Sequence, residues 1–307
     1  MSIFIYLLGY LAVIVFFVAV IYRIINYVKK PMHVRWELYP VAHEGKRAAH
    51  GGSYLEDVDW WQKDREKSLI GELKVMIPEI FLLKAVWEHN RPLWLPTYSF
   101  HLGLYLLCGF LALLHISAFG QIFGCSESCL ALMSPLTIIM GASGIILCLA
   151  GSIMLIHKRL VEPELRKYSG LDHYVNLALF IVSTSVALIT WLFIDSQFIM
   201  ARDFIVNMLK FNFTPVPNNI FGLQMILAFI VIAYIPLTHM SHFFMKYFLY
   251  HDIRWGDEPN VNNLKTQAHI GKVLNYPVSW SASHIAGHGK TTWAEVATFN
   301  PVAQPES

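Results

Sequence analysis

Four of the 14 histidines, His101, His115, His239 and His242, fall in or beside long apolar runs. An ionisable side chain inside a membrane span is costly, so such residues are functional candidates by default. The chemistry they suggest is iron ligation. Two neutral imidazoles on facing helices at one depth can hold a haem iron from both sides. His101 stands near the start of the second apolar run, and His239 and His242 stand near the end of the fifth, after Pro236. Those two runs cross a bilayer in opposite directions, so these ends share a depth. The bland alternative is interfacial histidines bonded to backbone carbonyls or lipid headgroups. His115 lies fourteen residues beyond His101, roughly 21 Å along a helix, and Gln224 is the nearest polar side chain of the fifth run at that depth. A zinc or di-iron site built on His239, His242, His284 and His288 lacks a matching carboxylate or cysteine set. The other histidines, His173 among them, sit in polar segments where surface and capping roles are ordinary.

The elements that must position these residues are membrane helices. The 307-residue chain is 55% hydrophobic and 14% charged, against about 25% charged in a soluble domain, and its mean hydropathy is +0.47. Apolar runs cover roughly residues 2–28, 98–120, 131–157, 174–199 and 219–249. Each exceeds the ~20 helical residues that cross a hydrocarbon core, and helices satisfy their own backbone groups there. The first run lacks a basic leader and a small-residue cleavage site, so it reads as a retained helix rather than a signal peptide. Of the 23 Lys and Arg residues, all but Arg202 and Lys210 fall from the end of run 1 to run 2, between runs 3 and 4, or around and after the end of run 5. The positive-inside rule then puts the N-terminus outside and the C-terminus in the cytoplasm. A net charge of +2 gives no reason to expect nucleic acid as a partner.

The chain divides into a first span (1–29), a cytoplasmic segment (30–97), a four-helix membrane domain (98–250) and a cytoplasmic tail (251–307). Within 30–97, the pattern from Leu69 to Trp87 predicts an amphipathic helix on the membrane surface. The tail is too polar for a core of its own and reads as disordered or draped over a partner. No internal repeat is evident, which disfavours a transporter. Cys108 and Cys148 read as packing residues. Cys125 and Cys129 lie in an outer loop where a disulfide could form. There is no C-x-x-C-H for covalent haem and no cysteine run for an iron–sulfur cluster.

Three motifs carry a family resemblance. Phe100-His-Leu-Gly-Leu104 opens the second span. Gly141-Ala-Ser-Gly-Ile-Ile-Leu-Cys-Leu-Ala-Gly151, followed by Lys158-Arg-Leu160, runs through the third. Ile235-Pro236, followed by His242, closes the fifth. Together they resemble the respiratory nitrate reductase gamma subunit, most clearly over residues 98–250. The stretch from His33 to Pro92 is similar to cytochrome b subunits of sulfate-reducer transmembrane redox complexes.

The resemblance implies an all-α membrane protein with five transmembrane helices and haem held between helices 2 and 5. It places axial ligands of one haem b on His101 and His242, with His239 as the alternative on helix 5. A second haem would fall on Leu111 and Gln224, neither an ordinary iron ligand, so one haem is expected and two is the variant reading. His115 and Gln224 then become residues for a quinone or for a second haem. The implied function is electron transfer between menaquinone and a cytoplasmic iron–sulfur partner subunit of heterodisulfide-reductase-like type, with a periplasmic cytochrome c as a further partner. This chain alone would complete no substrate reaction. The contrasting reading is a haem-free membrane anchor for redox subunits.

Overall fold

The structure, a computed structural model, describes residues 2–28, 69–242, 244–245, 264–280 and 291–299. Most of the expected cytoplasmic segment and about half of the tail lie outside the described residues, including His284 and His288. The described residues are mostly helical and contain no strand. The chain forms two compact units, Met1–Ala19 with Val75–Met240, and Val20–Lys74 with Ser241–Ser307.

The first unit is a helical bundle. It holds the first part of α1 (Ser2–Val28), then α3 (Lys84–His89), α4 (Arg91–Ile122), α5 (Glu127–Val161), α6 (Pro163–Lys167), α7 (Leu171–Phe193), α8 (Ile199–Leu209) and α9 (Asn219–Tyr234). Among the described residues of the whole chain, five helical stretches are long and apolar enough to cross a membrane: Ser2–Tyr27, Arg91–Ile122, Leu130–Val161, Leu171–Phe193 and Asn219–Leu237. Their outward faces carry large apolar side chains such as Phe17, Leu111, Ile139, Val182 and Ile230, the pattern of a surface meant for lipid.

Local chemistry sets the helix ends. The α4 helix starts seven residues before its apolar run because the Asn90 side chain accepts from Leu93 N–H at 3.3 Å and Pro92 occupies the first turn, where its missing donor costs nothing. It closes at Gly124, whose φ of +80° suits glycine, with the Cys125 N–H returning to the Gly120 carbonyl at 2.9 Å. The fourth and fifth spans are shorter than their apolar runs. The α7 helix stops at Phe193, and the chain turns through Phe198, at φ +55°, into α8. There the buried Asp195 carboxylate accepts from Ala201 N–H at 3.0 Å. The α9 helix stops at Tyr234 and passes into 3₁₀ turns at Ile235–Leu237 and His239–Ser241. Pro236 is the cause, because it removes a donor and its ring clashes with the preceding turn. His239 and His242 therefore lie beyond α9 rather than on it.

Residues Leu69 to Trp87 form two short helices instead of one. The first, α2 (Leu69–Phe81), ends where Leu83 takes φ +52°. The end of α2 docks on α4, where Tyr105 Oη donates to the Ile80 carbonyl at 2.8 Å and Trp94 Nε1 to the Leu82 carbonyl at 2.8 Å. The start of α1 is also built into the bundle. Ile5 and Tyr6 are buried, Tyr6 stacks on Phe204 at 4.5 Å, and Tyr10 Oη donates to the Met208 carbonyl at 2.6 Å.

The second unit contains the rest of α1 and of α2, with α10 (Leu264–Leu274) and α11 (Trp293–Thr298). Arg23 donates to Ser241 Oγ at 2.9 Å. Part of the tail is thus ordered into helices. The α11 start is a capping box, with Thr292 Oγ1 accepting from Glu295 N–H and Glu295 Oε2 accepting from Thr292 N–H. Hydrogen bonds from Thr292 hold the Glu295 carboxyl below the usual carboxylate range.

Candidate functional site

The seam between α4 and α5 decides where His101 sits. The two helices run antiparallel and touch backbone to backbone at glycines. A Cβ on Gly103 would lie 2.4 Å from the Cys148 backbone nitrogen, and one on Gly151 would lie 2.4 Å from the Phe100 backbone nitrogen. Small residues at such seams let membrane helices approach closely. The glycine-rich stretch Gly141–Gly151 thus has a packing reason. Phe100 fills the core behind the seam, against Cys148, Leu155, Leu177 and Phe180, and meets the Phe180 ring edge-on at 5.1 Å.

That packing leaves the next residue, His101, half-buried on another face of α4. Its Nδ1 lies 2.8 Å from the Thr97 carbonyl oxygen. A carbonyl can only accept, so the proton is on Nδ1 and the lone pair on Nε2. This is the tautomer a histidine needs for iron ligation through Nε2, with the second nitrogen held by a backbone carbonyl. The residue therefore fits haem. His115 repeats the arrangement, its Nδ1 donating to the Leu111 carbonyl at 2.8 Å. His115 is thus bonded within α4, not across to Gln224. The Gln224 Oε1 is buried with no hydrogen-bond partner.

The two remaining histidines part company. His242 is exposed and belongs to the second unit. His239 belongs to the first and is drawn to the start of α7. Its Nδ1 lies 3.3 Å from Asp172 Oδ2, its Nε2 lies 3.4 Å from Asn176 Nδ2, and its ring sits 4.9 Å from that of His173. His173 Nδ1 is in turn 3.2 Å from Asp172 Oδ1. The carboxylate partner that sequence spacing does not supply for His239 is therefore Asp172, more than sixty residues earlier in the chain. A short-range signal does exist in the adjacent pair Asp172-His173 at a helix start. Nothing in the sequence ties it to His239.

The cysteines separate similarly. Cys148 is fully buried and packs in the core, whereas Cys108 is exposed on α4. Cys125 is an exposed thiol, and the side chain of Cys129, its expected partner, lies outside the described residues.

Five helices among the described residues that are long and apolar enough to cross a membrane define the class: this is a multi-pass helical membrane protein. Comparison of the chain with protein-family models, with curated proteins and with solved structures returns no match.

Proposed function

We propose that this chain is the haem b-carrying membrane subunit of a respiratory redox complex, of the kind its motifs resemble, and that it exchanges electrons between menaquinone and a cytoplasmic iron–sulfur partner. The observation that carries the reading is the His101 ring. It is half-buried about a third of the way along a membrane helix, and the Thr97 carbonyl holds it in the tautomer that presents Nε2 as a ligand. It is the resemblance that pairs His101 with His242 as the residues that would hold the haem, which supplies a one-electron relay when bound.

Gln224 and His115 support a quinone-reactive role. A buried acceptor left unsatisfied costs about 1–3 kcal/mol, and a quinol hydroxyl is a donor that would satisfy Gln224 Oε1. His115 carries its lone pair on Nε2 and can accept a proton. The partner subunit and a periplasmic cytochrome c rest on the resemblance.

The purified chain tests the reading directly. Reduction with dithionite should give the α-band of low-spin haem b, at one haem per chain. A colourless preparation from haem-replete cells would leave only the anchor reading.

Orientation is part of the proposal. The antiparallel bundle gathers Arg91, Lys158, Arg159, Arg166 and Lys167 at one end and leaves Arg202 and Lys210 at the other. We place the first end in the cytoplasm of the cell that owns this inner membrane. An impermeant maleimide should then label Cys125 in intact spheroplasts of a Cys129→Ser variant. Labelling that needs membrane permeabilisation would mean the opposite orientation.

A further inference from the structure

We propose that Asp172, His173 and His239 form a binding site for a divalent transition-metal ion of the zinc class, which ties the start of α7 to the 3₁₀ turn that follows α9. The site uses neither His101 nor His242.

Three ligand atoms, one from each residue, lie within 4.8 Å of one another. The Asp172 carboxylate stands between the rings, one oxygen 3.2 Å from His173 Nδ1 and the other 3.3 Å from His239 Nδ1. Two imidazoles and one carboxylate are a donor set for zinc-class ions, with a fourth position left for water. The cluster is reachable, since the Asp172 and His239 side chains are 58% and 50% exposed and His173 is 29% exposed.

Two features of the local hydrogen bonding point to a ligand. The first is a conflict at His173 Nδ1. The Gly170 N–H aims at this nitrogen from 3.2 Å and requires its lone pair, while Asp172 Oδ1 approaches from 3.2 Å and requires its proton. No protonation state satisfies both. A cation between Nδ1 and the carboxylate lets both present lone pairs to it. The Gly170 N–H is then released to water at an exposed helix start, where unpaired donors are normal.

The second feature is Asn176, one turn along α7. It is only 5% exposed, its amide lies against His239 Nε2, and its Oδ1 is buried with no partner. Metal on His239 Nδ1 moves the ring proton to Nε2, which then needs an acceptor. A half-turn of the Asn176 amide supplies Oδ1 in that place. The half-turn gives the oxygen a donor and orients the ligand, as outer partners of metal-bound histidines do, and puts the amide nitrogen where the oxygen stood.

The test uses the full chain in detergent, stripped with chelator and equilibrated with Co²⁺, then with Zn²⁺. Cobalt is counted by elemental analysis, which separates it from any haem iron. The wild type should hold one Co²⁺ displaceable by Zn²⁺, and its melting midpoint should rise with Zn²⁺. Asp172→Asn, His173→Gln and His239→Gln should each weaken binding about tenfold or more, with a metal-free melting midpoint close to wild type and, for Asp172→Asn and His173→Gln, unchanged haem content. Asn176→Leu should weaken it less. A wild type that holds no cobalt and gains no thermal protection overturns the site, leaving a hydrogen-bonded cluster only. Binding undiminished in all three ligand variants overturns it too, by placing the metal elsewhere.

Discussion

Alanine at His101 is expected to abolish the low-spin haem b spectrum of the purified chain, and alanine at His242 to do the same. In the proposed reading each replacement removes one of the two imidazoles that would hold the iron, and iron left with one would be high-spin or lost. The substitution at His101 should spare the fold. It deletes a half-buried ring and one hydrogen bond to Thr97 O, worth about 0.5–1.5 kcal/mol, and leaves the Phe100 core and the glycine seam intact. His239→Ala is the discriminating control. His239 is engaged by Asp172 and Asn176, so its loss should leave the low-spin signal in place. Loss of the signal in His239→Ala with its retention in His242→Ala would reverse the assignment on that side. His115→Ala should keep the spectrum and slow quinol oxidation. Two haems per wild-type chain would refute the single-haem count and make His115 the first extra ligand to examine.

A side chain at Gly151 is expected to be the most damaging small change in the bundle. Its Cβ would stand 2.4 Å from the Phe100 backbone nitrogen and 2.6 Å from its Cα. Backbone cannot swing aside as a flexible side chain does, so α4 and α5 must separate along the seam. Overpacking of this kind costs about 1–3 kcal/mol, and Gly151→Leu should cost more than Gly151→Ala. Gly103→Ala, against the Cys148 backbone, should behave like Gly151→Ala. Thermal unfolding in detergent reads the effect as a fall of several degrees in the melting midpoint. Gly271→Ala is the matched control, because nothing lies within 4 Å of a Cβ at that helical position. There, better helix propensity should leave stability unchanged or raise it by up to about 1 kcal/mol. Since Gly151 touches the residue beside His101, Gly151→Leu should also reduce haem content.

Much of this molecule is legible along the chain. Length and hydropathy are local properties, so they locate the five spans and pair their charged flanks into two sets. The Phe100-His101 step and the glycines of the third span are visible as motifs. That His101 stands at the start of the apolar run is legible too, whereas the helix itself begins ten residues earlier, at Arg91. The ends of the fourth and fifth spans are not legible in the same way, because apolar character persists past Phe193 and Tyr234 while backbone chemistry does not. Pro236 stops α9 inside a continuous apolar run, and Phe198 turns the chain at a positive φ within another.

Tertiary structure alone decided the partners. The glycines show themselves as a seam only when Phe100 and Cys148 backbones are laid against them. His101 Nδ1 finds its carbonyl within one helical turn, an arrangement any helix would allow. His239 finds Asp172, His173 and Asn176 only because α7 packs beside α9 and the Pro236 turn carries the ring across. Spacing along the chain reports what one helix can place on its own face. Which groups from two helices share a few ångströms depends on packing and on where each helix stops, and that is why a histidine whose spacing groups it with other histidines stands beside a carboxylate.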